Sequence, residues 1–171
     1  MKNRAMLIGA IDAGKSTLTN VLLGKDDDAV KTQTLMYDGW IVDTPGEYTE
    51  NPMYYKNIMA TAMEVTHVFY LQDATSTKTI FPPGFSSGIA KLSIGVITKC
   101  DHPEANIARS FDKIKSVITN GPIVITSAVE GKGINHLKEL VQMTSMEQMR
   151  RYYEGNAEDD YLLYTDSLYT L

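Results

Sequence analysis

The stretch Gly9-Ala10-Ile11-Asp12-Ala13-Gly14-Lys15-Ser16 constrains this chain more than any other. It has the form G-x-x-x-x-G-K-[ST] and follows directly on the apolar run Ala5-Met6-Leu7-Ile8. Leu18, Val21 and Leu22 then recur at helical spacing, and Gly24 is a natural helix stop. A glycine-bounded loop between strand and helix curls its backbone around an anion, and the positive end of the helix adds to the field. Gly9 and Gly14 permit the curl, Ala13 and Thr17 flank it, Lys15 reaches β- and γ-phosphates, and the Ser16 hydroxyl suits Mg²⁺. The loop predicts nucleotide binding without naming the base.

The rest of the chain keeps the same alternation. Apolar runs at Trp40–Val42, Val65–Leu71, Leu92–Ile97 and Ile123–Ile125 are separated by helical patterns near 52–64, 103–119 and 133–153. Asn51-Pro52 opens the first helix as a cap followed by proline. Ile107, Phe111, Ile114 and Ile118 stripe the second; Ile134, Leu137, Leu140 and Val141 stripe the third. Such stripes face a core. The alternation predicts an α/β fold of three layers, a mostly parallel sheet of about six strands with helices on both faces. One crossover, near 74–91, carries Phe81-Pro82-Pro83-Gly84-Phe85 and is expected to be loop with at most a short helical piece.

Ligands of such sheets sit beyond the carboxy-terminal strand ends, and three more strand ends carry chemistry. Trp40–Val42 runs into Asp43-Thr44-Pro45-Gly46-Glu47, where Asp43 can make a second magnesium contact and Gly46 can bring its N–H to a γ-phosphate. Ile94–Ile97 leads into Thr98-Lys99-Cys100-Asp101; the Asp101 carboxylate can accept from guanine N1–H and the exocyclic amine, a donor pair adenine lacks, while the Lys99 stem lies along the base. Ile123–Ile125 ends in Thr126-Ser127-Ala128, where a backbone N–H can meet guanine O6.

In that order these segments resemble the Ras-like P-loop GTPase superfamily. Lys31-Thr32-Gln33, Asp43-Thr44-Pro45-Gly46-Glu47-Tyr48, the Pro-Pro-Gly-Phe loop at 82–85 and Thr98-Lys99-x-Asp101 make the chain similar, more narrowly, to the EutP/PduV family over about residues 4–150. The resemblance implies a cytosolic GTP- and GDP-binding protein associated with bacterial microcompartments that break down ethanolamine or propanediol. Acetate kinase activity has been attributed to some relatives. It implies Mg²⁺ at Ser16, Asp43 and a threonine, Thr32 with Thr34 as the alternative. Asp12 stands where potassium-activated relatives carry Asn and translational relatives carry Asp, which implies a K⁺ ligand; a loop-bracing acid is the alternative. Glu47 replaces a water-orienting Gln and joins Lys15 as a catalytic candidate, with slow hydrolysis expected. No arginine lies between Gly14 and Glu47. Thr98 replaces an Asn whose amide braces the loop and touches the purine together, so selectivity leans on Asp101. Three activities are open: a GTP switch or hydrolase, a phosphotransferase to a small carboxylate, and a nucleotide-binding scaffold.

Charge and cysteine usage narrow the setting. The net charge of −5 resides in the segment after residue 153, which carries Glu154, Glu158, Asp159, Asp160 and Asp166 and no lysine or arginine. The balanced remainder argues against a nucleic-acid surface. Cys100 is the only cysteine, and no apolar stretch is long enough for a membrane span, which with an amino terminus entering a strand at once predicts a cytoplasmic protein. His67, His102 and His136 lack metal-ligand spacing. The sequence divides into a nucleotide domain over 1–153 and a tail over 154–171. Tyr161, Leu162, Leu163, Tyr164, Leu168 and Tyr169 make that tail either an exposed acidic extension or a segment docking on a partner or on its own domain.

Overall fold

A computed structural model describes residues 2–26 and 33–166. Its strands are β1 (Ala5–Ile8), β2 (Met36–Asp38), β3 (Ile41–Asp43), β4 (His67–Asp73), β5 (Leu92–Thr98), β6 (Asn120–Ile125) and β7 (Leu162–Asp166). Its helices are α1 (Lys15–Leu22), α2 (Glu47–Glu50), α3 (Tyr55–Ala62), α4 (Ile107–Val117), α5 (Ile134–Leu140) and α6 (Met146–Gly155). The strands form one sheet in the order β2-β3-β1-β4-β5-β6-β7. The five central strands are parallel; β2 and β7 close the edges antiparallel. This is the three-layer, Ras-like P-loop NTPase fold.

The central strands read as continuous apolar runs because both their faces are covered. Along β1, Met6 and Ile8 join one core with Ile58, Tyr70, Ile114 and Ile123, while Ala5 and Leu7 join the other with Leu18, Phe69, Val124 and Leu137. The period-two alternation of a strand divides the two cores. The irregular crossover contributes to the first. Its one helical piece is a 3₁₀ turn, Phe85–Gly88, and Phe81 and Phe85 lie edge-on to Tyr70 at 5.7 and 6.4 Å.

Several boundaries differ from the sequence reading. The helix expected over 103–119 begins at Ile107, because Asn106 caps it by accepting from the Arg109 amide at 3.0 Å. The helix expected near 52–64 opens as a 3₁₀ turn, Pro52–Tyr54, with Asn51 as its cap. The helix expected over 133–153 is two, α5 and α6, because Ser145 accepts from Gln148 N–H and starts a new helix. The sheet has seven strands rather than about six.

The segment beyond residue 153 is integral to the sheet as far as it is described. Helix α6 runs across that position, and β7 pairs with β6 from Asn120↔Asp166 to Val124↔Leu162. Arg150 on α6 meets Asp166 at 2.6 Å and lies over the Tyr164 ring, and the Tyr164 hydroxyl donates to Asn120 at 2.8 Å. Leu168 and Tyr169 lie outside the described residues.

Candidate functional site

The sheet order brings the ends of β1, β3, β5 and β6 to one rim, at the side where ligands of open α/β sheets bind. The loop after β1 turns sharply: Asp12 has φ +66, and Gly14, with φ +95, caps α1. Lys15 is 6% exposed, and its Nζ donates to the carbonyls of Gly9 at 3.0 Å and Ala10 at 2.8 Å. Burial pushes its pKa below the usual lysine value, while Asp43, Glu50 and Asp12 pull it back up.

From β3, Asp43 is almost fully buried and accepts from the Ser16 hydroxyl at 2.8 Å. Thr44 ties the same strand end to β1 through a 2.7 Å bond to the Leu7 carbonyl. Gly46 then packs directly on the phosphate loop: a β-carbon there would lie 2.6 Å from the Ile11 amide nitrogen and 2.7 Å from its Cα. Glu47 begins α2 and is exposed. Glu50, at the other end of α2, lines a cavity with Ala10, Ile11 and Asp73 on the β4 side of the loop. Thr34 is exposed, and Thr32 lies outside the described residues.

At the other end of the loop a cavity of about 270 Å³ is lined by Gly14, Thr17, Leu18, Thr98, Lys99, Asp101, His102, Thr126, Ala128 and Val129. The structure therefore brings together Gly14, Thr17, Thr98, Lys99, Asp101 and Ala128 from three separate motifs. Ser127 does not line the cavity. Its buried hydroxyl donates to Asp101 at 2.8 Å, and its amide is taken by the Lys132 carbonyl at 3.0 Å. Within the S-A pair, Ser127 positions the carboxylate and Ala128 faces the cavity.

The Thr98 hydroxyl donates to the Ala13 carbonyl at 2.7 Å, so the short side chain still braces the phosphate loop. Lys99, with φ +64, reaches back over the loop and donates to the Asp12 carbonyl at 2.6 Å and to Asp73 at 2.7 Å. Asp73 is a residue the sequence reading missed. Its other oxygen accepts from the Thr75 amide and hydroxyl at 2.8 and 2.6 Å. Burial pushes its pKa up, but the Lys99 ammonium and Thr75 outweigh this and hold it below the usual carboxylate value. The available signal was the Asp-x-Thr turn at the end of β4. His102 and Val129 were also missed; they follow the recognised motifs by one residue each. Among the described residues no group of three His, Cys, Asp or Glu side chains forms a metal cluster, and no helix is long and apolar enough to cross a membrane.

A family model described as ethanolamine utilisation - propanediol utilisation, PduV-EutP, matches residues 1–143. The chain belongs to the PduV-EutP family. Its relatives include the probable acetate kinase EutP of Escherichia coli, 30% identical over 148 residues, covering 85% of this chain and 93% of the relative. The propanediol utilization protein PduV of Citrobacter freundii is 30% identical over 134 residues, covering 78% and 89%. Among solved structures, Aquifex aeolicus Era bound to GDP and AlF4⁻ superimposes with a TM-score of 0.58 at 20% identity, over 83% of this chain and 56% of Era. The bacterial selenocysteine-specific elongation factor EF-Sec gives 0.55 at 23% identity, over 89% of this chain and 29% of the factor. The PduV-EutP chain thus spans just over half of Era and under a third of the elongation factor.

Proposed function

We propose that this PduV-EutP protein binds GDP and GTP with Mg²⁺ and hydrolyses GTP slowly, as a microcompartment-associated accessory to ethanolamine or propanediol utilisation. The observation that carries this reading is the cavity beside the phosphate loop, into which β5 and β6 deliver Thr98, Lys99, Asp101 and Ala128. With Ser127 holding one oxygen of Asp101, the carboxylate is suited to the paired donors of guanine.

The phosphate end follows from the same chain. Lys15 leaves the Gly9 and Ala10 carbonyls for the β- and γ-phosphates, whose charge relieves the burial that lowers its pKa. Gly9, Ala13, Gly14 and Thr17 line the turn, and Gly46 approaches the γ-phosphate with its N–H. Ser16 and Asp43 offer hard oxygen donors 2.8 Å apart, a pair that fits Mg²⁺. With Thr32 or Thr34 they would hold the ion, which neutralises phosphate charge when bound. Asp12, exposed at the top of the turn, is the proposed K⁺ ligand. Glu47 is exposed beside the phosphates and is repelled by them, which favours slow turnover. The name of the Escherichia coli relative raises acetate as a phosphoryl acceptor. The cavity on the β4 side presents Glu50 and Lys78 together with an Asp73 already paired to Lys99, and no residue of it identifies an acetate site.

Calorimetric titration of GDP, GTP, ADP and ATP with Mg²⁺ tests the proposal. Guanine nucleotides should bind more than about tenfold tighter than their adenine counterparts, and Lys15→Ala should lose both. ATP binding as tight as GTP would remove the reading. GTP turnover should be faster in K⁺ than in Na⁺; equal rates would remove Asp12 as a cation ligand.

A further inference from the structure

The loop between β6 and α5 is held from behind by the carboxy-terminal part of the chain. Ser127 and Lys132 close it with two backbone hydrogen bonds, each 3.0 Å. Inside it the Ser127 hydroxyl donates to Asp101 at 2.8 Å and accepts from the Glu130 amide at 3.0 Å. Gly133 ends the loop at φ +74, and the Ile125 carbonyl oxygen lies 2.1 Å from where a β-carbon would stand. Tyr161 stands against the outside. Its carbonyl accepts from Ile125 N–H at 2.8 Å, its own N–H donates to Asp159 at 2.8 Å, and its ring lies 5.7 Å from Lys132 Nζ. Asp159 is itself 2.9 Å from His136 on α5. Tyr161 therefore touches both ends of the 125–132 segment while fixed to the helix that follows it. The family match ends at residue 143, so α6, Tyr161 and β7 all lie beyond it.

We propose that Tyr161 is a positioning residue for base recognition: by holding the 127–132 loop it keeps Ser127 bonded to Asp101, and the carboxy-terminal strand thereby sets how long a guanine nucleotide stays bound. The proposal rests on the guanine-nucleotide reading above. Asp101 is exposed, and the Ser127 hydroxyl tethers its carboxylate. A carboxylate free to swing discriminates poorly, because both of its oxygens must face two donors together. From the Tyr161 ring to that carboxylate the path crosses only Lys132 and Ser127.

The test uses the full chain with Tyr161→Ala, Tyr161→Phe and Lys132→Ala. It reads release of fluorescent GDP, the affinity ratio of GDP to inosine diphosphate (which lacks the exocyclic amine), the melting temperature, and amide hydrogen exchange at residues 127 and 132 in nucleotide-free protein. Tyr161→Ala should speed release about fivefold and narrow the ratio, since a cation–ring contact and the loop order it imposes are lost. Tyr161→Phe keeps the ring and loses only the hydroxyl that also interacts with the Lys132 ammonium, so it should fall between the unmodified protein and Tyr161→Ala, and Lys132→Ala should reproduce part of the loss while leaving β7 untouched. If Tyr161→Ala does not fold, Tyr161→Leu, which keeps apolar bulk without the ring, takes its place, because Lys132→Ala also removes the Lys132–Glu130 pair within the loop. Unchanged release and an unchanged ratio, with only the melting temperature lowered, would overturn the proposal. Unmodified protein that binds no GDP would remove the guanine reading itself, and exchange at 127 and 132 would then still show whether the brace exists.

Discussion

Thr98→Val deletes one hydroxyl and keeps the shape of the side chain, so it isolates the bond that braces the phosphate loop. Thr98 is 4% exposed, and its hydroxyl lies 2.7 Å from the Ala13 carbonyl oxygen, with the Gln72 carbonyl a distant second acceptor at 3.5 Å. Losing the bond costs its net contribution and leaves a buried carbonyl without this donor, about 1–3 kcal/mol in total. For a chain of this size that corresponds to a fall in melting temperature of roughly 2–4 °C per kcal/mol. Thr98→Ser is the control: it keeps the hydroxyl and removes a buried methyl, at about 1 kcal/mol. Urea denaturation at constant m-value measures both. Valine should be the worse replacement for stability and should also weaken nucleotide affinity, since Ala13 belongs to the proposed phosphate turn. Should the valine variant lose less than about 0.5 kcal/mol while serine loses more, the hydroxyl does not hold the loop.

Three further outcomes are expected. Asp101→Asn should move base preference from GTP towards XTP, whose 2-oxo group matches the new amide donor; competition between the two nucleotides reads it, and an unchanged preference removes Asp101 from the base site. Gly46→Ala places a β-carbon 2.6 Å from the Ile11 nitrogen, so the backbone must separate, with a loss of stability of about 2 kcal/mol or more seen as a lowered melting temperature. Burial holds the His67 imidazole below its ordinary value of 6.5, so the unfolded chain takes up a proton that the folded chain refuses. That contribution to stability is complete above the unfolded value and falls as pH drops below it, by at most about 1.4 kcal/mol per pH unit. A thermal-melt series across that range should show a shallower slope in His67→Gln; identical slopes would assign the acid sensitivity elsewhere.

The placement of the motif residues was legible because each motif ends an apolar strand run, and the parallel sheet carries those ends to one rim. Lys15, Ser16 and Asp43 converge as their spacing implied, and Thr98, Lys99, Asp101 and Ala128 share one cavity. What the motifs did not disclose is how those residues are held. The Lys99–Asp73 pair joins two strand ends that are distant in sequence, and an aspartate before a turn carries no mark of its partner. Similarly, β2 is three residues long with Met36 and Tyr37 exposed, so it lacks the alternation that announces a strand. The division between α5 and α6 was hidden because Val141, Met143 and Met146 continue an apolar pattern through the break. Acidity masked β7: Asp159, Asp160 and Asp166 surround residues whose burial against β6 and α6 only the assembled sheet creates.

The contact between Gly46 and Ile11 has a mechanical consequence. Two loops that leave no room for a methyl group behave as a pair of meshed teeth: neither can advance on the other without displacing it. The first of them is the proposed phosphate loop, and the second is the root of α2, from which the chain runs on through Met53, Met59 and Met63, all exposed. A move of that loop toward α2 therefore has to push the root of the helix aside, because Gly46 has no side chain whose repacking could absorb the approach.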